Sequence, residues 1–95
     1  MSSSEKVEIE GLIYLPDDLG RLYLRPYQEA APREPNLSCY DQKGEKIWDA
    51  EEVQSLDKWF GVELRNARLF ANSYGGYLCE LDPRDGKIMS SEFVK

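Results

Sequence analysis

Histidine is missing altogether from this chain of 95 residues, and cysteine occurs only twice. The first absence removes the commonest general base near neutral pH and the usual nucleophilic triads. It also leaves too few nitrogen and sulfur donors for the tetrahedral set that a closed zinc site needs. Catalysis would have to rest on Asp, Glu, Lys, Tyr or Cys. Cys39 and Cys79 have no histidine beside them to lower a thiol pKa, so both read as reduced, small apolar core residues on strands.

An excess of positive charge is missing too. Twelve Lys and Arg stand against 18 Asp and Glu, for a net charge of −6. A surface of that sign repels phosphate backbones and anionic lipids, so nucleic acid is not an expected partner. Arg21, Arg25, Arg33, Lys58, Arg65 and Arg68 form a basic patch only if folding gathers them. No run approaches the roughly 20 apolar residues that span a bilayer, and no basic stretch followed by an apolar one opens the chain. These absences lead us to expect a cytoplasmic protein with no membrane partner.

A phosphate-binding glycine loop is likewise lacking. Tyr74-Gly75-Gly76-Tyr77 has neither the Lys nor the Ser/Thr of a P-loop, and it joins two strands instead of opening a helix. Asp17-Asp18 is the one paired acidic turn, and two neighbouring carboxylates supply fewer oxygens than a metal site takes, so they read as turn residues. The sequence therefore points to no catalytic residue, no metal and no cofactor.

What the chain does contain is one pattern used twice. Leu37 to Trp48 and Leu78 to Met89 both read as strand, Asp-to-Gly turn, strand, with the turns at Asp41 to Gly44 and Asp82 to Gly86. Asp bonds back to its own turn and Gly accepts a left-handed backbone, so two antiparallel hairpins follow. Val7 to Glu10 alternates apolar and charged residues, and the phase changes at Gly11 before the apolar run to Leu15, which predicts a strand bent there. Pro16 to Gly20 is a turn into a short strand, Arg21 to Arg25, that Pro26 ends. Pro32 and Pro35 mark Tyr27 to Asn36 as a loop. Asp49 followed by Glu52 resembles a capping box, and Ala50, Val53, Leu56 and Phe60 recur at helical spacing before Gly61, so a helix is predicted over residues 49–60. Trp48 and Trp59, at its two ends, are assigned to the core. The rest reads as extended segments over residues 62–64 and 67–72, then a turn into the second hairpin.

The run Tyr74 to Ile88, with its Gly-Gly, its alternating Leu78-Cys79-Glu80-Leu81, Asp82 and the Gly86-Lys87 turn, resembles blade hairpins of quinoprotein-type β-propellers. Propellers close with about four to eight four-stranded blades, more than a stretch of this length holds. The resemblance thus implies hairpin geometry and no activity, since no cofactor residue falls inside the matched segment.

Taken together, these readings predict an α+β domain, mainly antiparallel β in meanders and hairpins, with one helix near 49–60 packed on the sheet. A small SH3-like or partly open β-barrel is the alternative fold. Residues 1–6 are polar and read as a disordered tail before a single domain over 7–95. For function the expectation is a non-catalytic protein-interaction module, accessory or regulatory, with a protein partner and the option of a homodimer through an edge strand. Tyr27, Tyr74 and Tyr77 are the candidate partner- or ligand-binding residues, with Tyr40 a possible addition, because aromatics on exposed turns make contact platforms. Two alternatives stand beside it: a small ligand-binding domain or enzyme that uses Tyr and carboxylates, and an acidic decoy of a nucleic-acid-binding protein.

Overall fold

Nine strands in two antiparallel sheets make up the fold, seen in a computed structural model that describes residues 4–94. The strands are β1 (Ser4–Glu8), β2 (Gly11–Tyr14), β3 (Arg21–Leu24), β4 (Leu37–Tyr40), β5 (Lys46–Asp49), β6 (Trp59–Arg65), β7 (Arg68–Ser73), β8 (Tyr77–Leu81) and β9 (Ile88–Phe93). One sheet has the order β2-β3-β4-β5, a pure meander. The other has the order β1-β6-β7-β8-β9, a second meander to which β1 adds at the β6 edge.

Local chemistry accounts for most of these elements. In both Asp-to-Gly turns the aspartate carboxylate accepts backbone N–H groups, from Lys43 and Glu45 at Asp41 and from Arg84 at Asp82. Gly44 and Gly86 both take positive φ, as the turn chemistry requires. Asp17 and Asp18 serve as turn residues with left-handed backbone, which Asp tolerates. Asn66 and Ala67 are also left-handed, and they reverse the chain between β6 and β7. The phase change around Gly11 proves to be a change of sheet: Ile9 turns left-handed, β1 ends on β6, and β2 begins on β3.

Two expectations need correction. No α-helix forms over residues 49–60: Asp49 closes β5, Trp59 opens β6, and residues 50–58 cross between the sheets as a loop. At its two ends backbone groups bond outside the segment, Ala50 N–H to Leu37 O, Glu51 N–H to Gly86 O and, at the start of β6, Trp59 N–H to the Asn36 amide oxygen. Leu56 is left-handed, and the Asp57 carboxylate takes N–H groups from Lys58 and Gly75. Side-chain acceptors of this kind compete directly with helical hydrogen bonding. The disordered tail expected over residues 1–6 does not hold at Ser4 to Lys6. Residues 1–3 lie outside the described residues, while Ser4, Glu5 and Lys6 pair with Arg65, Leu64 and Glu63.

Both sheets turn alternate residues inward onto one hydrophobic cluster. Ile13, Leu22, Leu24 and Leu37 come from the four-stranded sheet, and Val62, Leu69, Ala71 and Leu81 from the other, all buried. Each of the Val, Leu and Ile side chains contributes roughly 1.5–3 kcal/mol when fully buried, and Ala71 less. Trp48 and Trp59 join the cluster, as expected of them.

The sheets are also stapled by polar groups. Asn36, buried, donates from its amide to Arg25 O and Trp59 O while its amide oxygen accepts Trp59 N–H, at 2.8–3.0 Å. Lys58, also buried, directs its ammonium at the carbonyls of Ala31 and Glu34, and so ties down the proline-bearing loop.

Candidate functional site

The three tyrosines singled out from sequence do not form one site. Tyr27 and Tyr74 meet edge to face at 4.9 Å between ring centres, and Phe60 adds a third ring 5.3 Å from Tyr74. Burial against these neighbours, then the adjoining Tyr27, pushes the Tyr74 phenol up from its ordinary value. Tyr77 pairs instead with Phe93 across β8 and β9, 5.3 Å apart. Tyr74 sits on the turn whose Gly75 N–H is held by Asp57, so its place depends on the loop where a helix was expected.

Cys39 and Cys79 are free and buried, one in each sheet. Burial raises both thiols above their ordinary pKa, which leaves them protonated and unreactive near neutral pH. Cys39 Sγ donates to Leu19 O at 3.6 Å.

The cations do not gather into one patch. Arg65 and Arg68 flank the Phe70 ring on the outward face of the five-stranded sheet, 5.1 and 5.2 Å from its centre. Arg68 also forks onto Glu80 at 2.8 and 3.0 Å, and this pairing holds the Glu80 carboxyl below its usual range. Nearby, Arg84 does the same to Asp82. Several acids are paired in the same way: Glu8, Glu34, Asp49, Glu63, Glu80 and Asp82 each have a cation alongside.

The outward face of the four-stranded sheet is different. Register places Leu12, Tyr23 and Ser38 in one row across β2, β3 and β4, and Tyr14, Arg21 and Tyr40 in the next. Leu12 and Tyr14 are exposed, and Tyr23 and Tyr40 are half-buried. Arg21 thus stands between two tyrosines, with a third, Tyr23, two residues along its own strand. Its guanidinium donates to Asp41 O at 3.0 Å and reaches Gln42 O, and it makes no ion pair with a carboxylate among the described residues. A hollow of about 320 Å³ opens over Leu12, Arg21, Tyr23 and Tyr40, and a second of about 270 Å³ lies on the other side of Arg21, beside Tyr14 and Asp18. Sequence reading named Tyr40 and Arg21 separately. Only strand register joins them to Tyr14 and Tyr23, and that follows from the lengths of two turns.

The edges of the sheets also differ. Strand β1 carries Glu5, Lys6 and Glu8, β5 carries Lys46 and Asp49 beside a register shift, and β2 has four residues. Strand β9 has six residues with Glu92 its one charge; its register on β8 shifts at Met89 and runs regularly from Ser90 to Phe93, and Met89 and Phe93 lie about 60% exposed along it. Val94 N–H bonds Gly76 O at 2.8 Å. By alternation, the N–H groups of Ser91 and Phe93 point away from β8.

No helix among the described residues is long and apolar enough to cross a membrane. No curated protein and no solved structure matches the chain. A family model does match, over residues 6–93, and that span takes in β2 to β9 and nearly all of the core just described. The chain belongs to the family described as Domain of unknown function (DUF7957).

Proposed function

We propose that this domain is a non-catalytic protein-interaction module, accessory or regulatory to a larger assembly, which takes an extended segment of a protein partner along β9. The observation that carries this reading is the bare edge of that strand. Exposed edges are ordinarily blunted by lysines, prolines, bulges or shortness. Strands β1 and β5 carry lysines and β2 has four residues. Strand β9 carries no lysine or proline and keeps regular pairing from Ser90 to Phe93, beyond its own register shift at Met89. An edge with outward N–H groups and apolar side chains suits strand addition, in which main-chain bonds supply affinity and side-chain pockets supply choice. The net charge of −6 argues for a protein over nucleic acid or an anionic membrane as the partner. Two buried free thiols suit the reducing cytoplasm, where we place it.

The test removes one edge donor and leaves the fold alone. Proline is tolerated on an edge strand where its missing N–H would have faced solvent. Ser91→Pro should keep the melting temperature and lose the partner that the wild-type chain captures from native cytosol, while Ser91→Ala keeps it. Equal capture by the proline variant would overturn the reading.

A second copy is the alternative occupant of the same edge. Antiparallel pairing about a two-fold axis through Ser91 sets each Glu92 against Ser90 of the other copy, so like charges do not meet. A molar mass that rises with concentration in the wild type, and stays monomeric in Ser91→Pro, identifies this case.

A further inference from the structure

We infer that the outward face of the four-stranded sheet is a second, separate binding site, for a proline-rich peptide carrying an acidic residue. Three observations converge on that chemistry.

The first is spacing. Tyr14 and Tyr40 lie in register on either side of Arg21, two strands apart. At an interstrand distance of ~4.8 Å their backbones are separated by about 9.6 Å. A polyproline II helix advances about 9.3 Å per three-residue turn. A peptide in that conformation, laid across the strands, sets every third residue over a tyrosine. Leu12 and Tyr23 in the adjoining row wall the hollow at the Tyr40 end of that path, Tyr14 borders the second hollow, and Arg21 lines both. Aromatic-lined grooves recognise polyproline II segments because that conformation loses little entropy on binding.

The second is charge. Arg21 lies midway between the two tyrosines, with only backbone carbonyls as acceptors. Other charges on this face are committed: Arg25 to Glu34 at 2.6 Å and Lys46 to Asp49 at 3.2 Å. Asp18, across the second hollow, makes no ion pair with Arg21. A carboxylate arriving between the two tyrosines would meet a guanidinium whose remaining N–H groups are free to bond it.

The third is an internal precedent. Arg25 follows β3 in the same outward phase as Arg21 and Tyr23, with its N–H bonded to Asn36 O. It holds the glutamate of Pro32-Arg33-Glu34-Pro35, a stretch of this chain's own loop, and donates as well to Pro35 O at 2.9 Å. One arginine of the face thus already carries an acid next to proline, and the other stands ready for a second.

The probe is a nine-residue proline-rich peptide with one central glutamate, titrated into the isotope-labelled full chain and followed by amide chemical shifts. Shifts should cluster on β2, β3 and β4 and spare β9. Replacing the glutamate by glutamine should weaken binding about tenfold, the size expected for one charge-assisted hydrogen-bonded pair. Arg21→Gln should abolish the preference between the two peptides, and Arg21→Lys should restore part of it. Tyr40→Ala should weaken both peptides alike, with a dispersed spectrum showing that it still folds. Shifts confined to β9 or to Tyr27 and Tyr74, equal binding of the two peptides, or no shift at millimolar peptide would each overturn the proposal. This outcome is independent of the edge-strand reading, since Ser91→Pro leaves the tyrosine face untouched.

Discussion

On the outward face of the five-stranded sheet, Arg65 and Arg68 flank Phe70 and Arg68 is forked onto Glu80. On the outward face of the four-stranded sheet, Arg21 stands between Tyr14 and Tyr40 with carbonyls as its only acceptors. The same residue types, arginine and an aromatic ring, are closed on themselves in one case and left open in the other. A finished solvent face satisfies its charges internally, and an interaction face keeps some in reserve. On the two proposals above, the sheets divide the labour, with the five-stranded one supplying structure and an addable edge, and the four-stranded one a side-chain surface.

The strongest way to break this arrangement is to cut the polar staple that holds the sheets in place. Asn36→Ala leaves Trp59 N–H and Trp59 O short of a partner in a buried setting and Arg25 O in a partly buried one. With ~1–3 kcal/mol for each buried group left unmet, the loss should be about 3–5 kcal/mol. For a domain of this size that is a fall in melting temperature of about 15–25 °C. Asn72→Ala, on the outward face of β7, should stay within about 0.5 kcal/mol. Equal losses for the two would show that the sheets are not held by Asn36.

The twin turns offer the next comparison. Gly44 and Gly86 occupy matching hairpin positions and both have positive φ, at 86° and 76°. A methyl group at Gly44 meets nothing within 4 Å, whereas at Gly86 it collides with the Trp48 ring. Gly44→Ala should cost ~1–2 kcal/mol from backbone conformation alone. Gly86→Ala adds overpacking of ~1–3 kcal/mol, for a total of about 2–5. Denaturant unfolding of the two variants measures the difference directly.

That contrast also marks what the sequence could disclose. Both hairpins were legible because Asp41, Gly44, Asp82 and Gly86 act on their own turns, within a few residues. The helix over 49–60 was read from equally local signals, yet the segment's fate is decided by distant groups: Asn36, Leu37, Gly75 and Gly86 receive or supply its hydrogen bonds. Asp49, read as a cap, instead accepts from the Ser38 hydroxyl and pairs with Lys46. Tyr27 and Tyr74 were named because they sit on turns, and folding does bring them together. Tyr14, Tyr23 and Tyr40 become a site only through register across three strands, which no window of sequence contains.

The smallest effect concerns protons. Hydrogen bonds from Arg68 and Arg84 hold the Glu80 and Asp82 carboxyls below their ordinary values of about 4. A carboxyl with a lowered folded pKa adds stability that is complete above its unfolded value and disappears as pH falls through the folded one. Unfolding free energy should therefore decline below about pH 4, modestly, because both pairs face solvent and salt screens them. Glu80→Gln should flatten part of that acid limb. Arg21→Gln should leave it unchanged, since Arg21 bonds backbone carbonyls and forms no ion pair with a carboxylate among the described residues. An acid limb altered by Arg21→Gln would mean that the four-stranded face is as closed on itself as the five-stranded one, and the division between the two sheets would fall with it.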